Sequence, residues 1–144
     1  MAALKTAKYL REAPTRPTNH PEVTSPIPTL TSDENFGDLG FHIYWEAVTA
    51  PFTMNPAPPH KHEFPQYLNF IGGDITNMLD LGGEIELTLS EDGKNLEKHT
   101  ITKATSVYIP AGLYHCPLVF KKVTKPILFM DVICAGLYKK LGKA

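Results

Sequence analysis

Cysteine is scarce in this chain: Cys116 and Cys134 are the two among 144 residues. They match no zinc-site spacing and build no disulfide framework. As free thiols they fit a reducing compartment, so a cytoplasmic location is expected. Long apolar runs are missing too. None approaches the ~18 residues of a membrane-spanning helix, and no membrane partner is expected. The start, Met1-Ala2-Ala3-Leu4-Lys5, lacks the apolar stretch of a secretory signal. An excess of one charge is also absent: the formal net charge is −1 and the pI about 6.6. A nucleic-acid binder carries a basic patch. The basic run here, Lys139-Lys140-Leu141-Gly142-Lys143, reads as a solvated end, so no nucleic-acid partner is expected.

Proline is rare in the second half. Ten of the 13 prolines fall at or before residue 65. Residues 1–40 are rich in Pro, Thr, Ser and Asn with weak periodicity, which reads as an extended N-terminal arm with one helical turn at Ala3–Glu12. Such an arm is either disordered or laid across a partner surface. Residues 41–144 read as one domain, since a chain of this length buries a real core.

What is present from Phe41 onward is strand. Phe41–Val48 is aromatic and β-branched, and Gln66–Ile71 closes at Gly72-Gly73. Asp74–Gly83 reads as a polar loop. Glu84–Leu89 alternates with period two, placing Ile85, Leu87 and Leu89 on a core face. Asp92-Gly93 supplies a hairpin turn with positive φ. Further strands are expected over Glu97–Thr102, Ser106–Ile109, His115–Phe120 and Ile127–Cys134. Short strands with Gly/Pro turns and no long helices between them predict an all-β sandwich or barrel.

Chemistry concentrates in Pro58-Pro59-His60-Lys61-His62-Glu63-Phe64-Pro65-Gln66. On a strand, residues two apart share a face, so both imidazoles reach one point. A third imidazole, His115, follows the Pro110-Ala111-Gly112 turn. Three histidines with the Gln66 oxygen suit one divalent transition metal: manganese, iron, nickel or zinc. Asp131 stands inside the apolar run Ile127–Ile133. It is either a general base or partner that orients the site, or an outward-facing edge residue. Tyr44, Phe70 and Tyr108 are strand aromatics expected in the core or lining a substrate pocket. Tyr114 and Cys116 flank His115 and are expected to face away, unless the strand is bulged.

The spacing resembles the two motifs of the cupin superfamily, G-x5-H-x-H-x3/4-E-x6-G and G-x5-P-x-G-x2-H-x3-N. His60, His62, Gln66 and Gly73 match the first, with Gln for Glu; Pro110, Gly112 and His115 match the second. The resemblance covers about residues 55–135. Met54, Ala104 and Val119 replace the first Gly, second Gly and Asn. It implies a double-stranded β-helix (jelly-roll) barrel with metal held by His60, His62, Gln66 and His115. Three-His, one-Gln shells occur in manganese cupins resembling hydroxynitrile lyases, and three-His shells in diketone-splitting dioxygenases. The resemblance therefore implies a lyase, isomerase or dioxygenase acting on a small organic acid or carbonyl compound. The alternative is a non-catalytic metal- or small-molecule-binding module. Open strand edges and the arm point to a homodimer.

Overall fold

The alternation at Ile85 and Leu87 is the middle of a longer strand. The computed structural model describes residues 4–56 and 58–135. The lysine-rich end and the rest of the expected domain beyond 135 lie outside the described residues. Among the described residues ten strands run in chain order: β1 (Thr15–Arg16), β2 (Ile27–Thr31), β3 (His42–Val48), β4 (Phe52–Asn55), β5 (Gln66–Gly72), β6 (Asp80–Ser90), β7 (Glu97–Lys103), β8 (Thr105–Ile109), β9 (Tyr114–Val123) and β10 (Ile127–Ile133). They form two sheets, ordered β1-β2-β3-β10-β5-β8 and β4-β9-β6-β7, with antiparallel pairing throughout.

The inner faces meet in one core. Every second residue of β5 turns inward, so Gln66, Leu68 and Phe70 are buried while Tyr67 is exposed. Phe70 stacks on Phe129 with centroids 5.0 Å apart, and Phe120 packs edge-on at 6.2 Å. Phe52 stacks on Phe120 at 5.5 Å. These rings supply much of the buried apolar area of the sandwich. On the outer face of β6, Glu86 pairs with Lys121 at 2.8 Å, an exposed contact of small energetic weight. Gly93 closes the β6–β7 connection at φ +78°.

Three sequence expectations change. β6 begins at Asp80, inside the stretch expected to be loop, with Leu81 fully buried. Gly82-Gly83 interrupts the alternation there and hides the strand start. β4 lies between Pro51 and Pro56, whose punctuation masks its four residues. The expected arm is extended, but much of it belongs to the sheet. β2 pairs with β3, Val23 bridges Val48, and Val23 and Ile27 sit in the core. Pro26 and Pro28 break the periodic pattern without preventing an extended backbone from pairing. Near the chain start, the expected helical turn is a 3-10 turn at Ala7–Tyr9.

Candidate metal centre

Toward the ends of β5 and β10, the sheets part around a cavity of about 240 Å³. His60, His62, Gln66, His115, Cys116, Asn55 and Asp131 supply its polar wall. Met54, Phe64, Leu68, Leu118, Phe129 and Ile133 supply the apolar remainder. A larger open groove of about 510 Å³ runs between β7 and β8, where His99 is the one imidazole among its walls.

His60 and His62 do not lie on a regular strand. The preceding Pro58 and Pro59 have no N–H to give a ladder. The segment is tied to β9 by a single bridge: the His60 N–H donates to the His115 carbonyl at 3.1 Å, and the His115 N–H returns a bond at 2.8 Å. The Gly112 N–H donates to the His62 carbonyl at 2.9 Å. The Pro110–Gly112 turn therefore holds both halves of the histidine cluster. Ring centroids stand 4.5 Å apart for His60–His115, 4.9 Å for His60–His62 and 5.0 Å for His62–His115.

His115 is 2% exposed, and its Nδ1 lies 3.0 Å from the Leu113 carbonyl. A carbonyl only accepts, so Nδ1 carries the proton and Nε2 keeps its lone pair, as in metal-bound histidines. Burial, and then the neighbouring imidazole charge, hold His62 below the usual histidine range. Burial also lowers His115, against the bond to Leu113. Both rings favour the neutral form that binds metal.

Gln66, 6% exposed, donates from Nε2 to Asp131 Oδ1 at 3.2 Å. Its Oε1 is buried with no hydrogen-bond partner. Leaving such an oxygen unsatisfied costs about 1–3 kcal/mol. A buried amide oxygen with no donor, beside neutral imidazoles, fits a cation.

Asp131 faces the cavity. β10 runs between β3 and β5, and Asp131 follows the inward alternation of Ile127 and Phe129. The outward-edge alternative does not apply, since β10 has a neighbour on each side. Burial pushes its carboxyl up to about 7, aided by the Glu46 charge and opposed by the Gln66 bond.

Cys116 is the functional candidate whose orientation the sequence concealed. Between the pairs Leu87↔Leu118 and Leu89↔His115, β6 advances two residues and β9 three. The extra residue is a bulge, and Cys116 adopts φ +84° within it. Consecutive residues His115 and Cys116 are both buried and both line the cavity. Donor atoms of His60, His115 and Cys116 lie within 4.8 Å of one another. Pro117 was the available signal, because proline inside a central strand marks a bulge. Burial raises the free thiol to about 11, with a further push from Asp131.

The three expected pocket aromatics are not walls of this cavity. Phe70 is 0% exposed and lies in the stacked core. Tyr108 is 55% exposed on the outer face, against Tyr67. Tyr44 sits opposite Asp131 in register, but its ring packs between His42 and the Arg16 guanidinium. Inward or outward direction on β5 and β8 depends on a register that aromatic content does not reveal.

This fold has solved counterparts. Bacillus subtilis oxalate decarboxylase superposes with TM-score 0.58 at 13% identity, over 85% of this chain and 28% of that one. Hazelnut (Corylus avellana) vicilin gives 0.59 at 12% identity, over 89% of this chain and 33% of that one. Both are cupin-fold proteins. The chain has the cupin jelly-roll fold. It spans a third or less of either counterpart, and at such identity the likeness concerns the fold alone. The decarboxylase carries Mn(II) centres. No protein-family model and no curated protein matches the sequence. No helix of the described residues is long and apolar enough to cross a membrane.

Proposed function

We propose that this cupin domain is a metal-dependent enzyme acting on a small organic acid or carbonyl compound. The observation carrying the proposal is that three clustered imidazoles and Gln66, whose Oε1 is buried without a partner, line one cavity. His60, His62, His115 and Gln66 would hold one divalent transition ion. When bound, the ion supplies Lewis acidity to a substrate oxygen. The cavity is smaller than the about 300–1,000 Å³ of drug-sized pockets, which suits a substrate of few heavy atoms. Its apolar walls suit the carbon skeleton of such a substrate.

Asp131 favours redox-neutral chemistry within this reading. Asp131 stands in the cavity wall one hydrogen bond from Gln66, placed to accept and give a proton at the substrate. Oδ1 is engaged by Gln66, so Oδ2 is the atom for transfer to substrate carbon or oxygen. Lyase or isomerase chemistry uses such a group, and an oxygenase has less need of one.

Elemental analysis of purified protein, with a panel of small carbonyl and hydroxy-acid substrates, tests the proposal. Wild type is expected to hold about one ion per chain. His60→Ala and His115→Ala are expected to lose metal and turnover together. Full occupancy in either variant would sink the ligand assignment. Full occupancy in wild type without turnover would favour the non-catalytic binding module.

A further inference from the structure

The proposed four-donor set leaves the Cys116 sulfur of the cavity wall unused. Cys116 is not an isolated thiol. Its sulfur shares a cluster with the ring nitrogens of His60 and His115, within 4.8 Å of one another. The bulge in β9 turns it inward where regular alternation would point it out of the sandwich. Gln66 lines the same cavity and its buried Oε1 has no hydrogen-bond partner, an independent sign of a missing cation.

We infer that Cys116 is a metal ligand, making this a mixed nitrogen, oxygen and sulfur site that takes thiophilic divalent ions through His60, His115 and the Cys116 sulfur. The inference rests on the metal reading above and adds a donor to it. Tetrahedral bonds of about 2.0 Å to nitrogen and 2.3 Å to sulfur put two ligands of one ion about 3.3–3.5 Å apart. The cluster, whose donor atoms lie within 4.8 Å of one another, therefore closes by at most about 1.5 Å on binding. Binding replaces the S–H bond with a metal–sulfur bond and releases the proton to solvent, with no change of oxidation state.

Donor softness gives the site a choice. Imidazole serves all the candidate ions, thiolate favours zinc and cobalt(II), and amide oxygen favours manganese. With a thiophilic ion, the His60–His115–Cys116 side dominates. With a harder ion, Gln66 contributes and the thiol stays protonated. One cavity would thus hold either ion class, with Cys116 deciding which is retained.

Cobalt(II) titration of metal-free protein under reducing, oxygen-free conditions tests this. Visible ligand-field bands report the ion in the cavity, and a near-ultraviolet sulfur-to-cobalt band reports Cys116. The expected result is both bands in wild type, with the near-ultraviolet band lost in Cys116→Ser and retained in Cys134→Ala. Visible bands without the near-ultraviolet band in wild type overturn the sulfur ligand and leave the metal reading standing. Persistence of that band in Cys116→Ser overturns it equally. Failure to take up cobalt or any other divalent ion overturns both.

Discussion

Gln66 and Asp131 are best understood as one unit. The first cupin motif has glutamate where Gln66 stands, and this chain carries a carboxylate one hydrogen bond away, at Asp131. The amide donates to that carboxylate, and its oxygen stays buried without a partner. The carboxyl group stands in effect at residue 131 instead of residue 66, in the wall of the same cavity. This arrangement has a pH signature in the metal-free protein. Unfolded, Asp131 titrates near 3.8; folded, at about 7. Between these values the folded state binds the extra proton, so stability falls as pH rises through the interval. His62 and His115, held low, act oppositely: their contribution is present above the usual histidine range and lost as pH falls through their folded values. Asp131→Asn removes only the first effect. Urea unfolding of both metal-free proteins should show wild type losing ground to the variant by a few kcal/mol between about pH 4 and 7. Parallel stability curves would refute the buried-carboxyl account.

At the scale of elements, β9 does two jobs. Its second half pairs with β6 through a register shift between Glu84 and Ile85, and its first half bulges again between Leu87 and Leu89, which brings both His115 and Cys116 to the cavity. That second half depends on close backbone approach at Gly83, where an added Cβ would stand 2.0 Å from the Lys122 carbonyl oxygen. Gly83→Ala must push the two strands apart. It should cost about 1–3 kcal/mol in chemical denaturation, the usual range for overpacking. Metal uptake should survive, because the histidines sit at the other end of β9. Unchanged stability would mean that the strands separate there without strain.

For the whole molecule, the N-terminal stretch is part of the sandwich. Val23 and Ile27 are each 3% exposed, and burying such a side chain contributes about 1.5–3 kcal/mol. Removing residues 1–31 would delete both and open the edge of β3, leaving its backbone groups unpaired. The truncated chain is expected to aggregate or unfold, where the full chain gives one discrete gel-filtration species. A truncated protein that stays folded, soluble and in the same oligomeric state would contradict this. The same column reads the proposed homodimer in the intact chain.

Period-two patterning at Ile85 and Leu87, the Asp92-Gly93 turn and the histidine spacing were legible without coordinates, because local backbone geometry sets them. They were sufficient for an all-β fold and for bringing His60, His62, His115 and Gln66 to notice as one group. Other features depend on pairing between distant segments, which a linear pattern does not encode. The β9 bulge is set by its register against β6, and it alone turns Cys116 inward. The burial of Asp131 follows from β10 lying between β3 and β5. The directions of Phe70 and Tyr108 follow from strand register, and the sheet membership of residues 15–31 from a neighbouring edge that accepts an extended chain despite its prolines. Residue type and spacing determined which donors were available; tertiary pairing decided which of them face one another across the cavity, since a one-residue change of register reverses a side chain's direction.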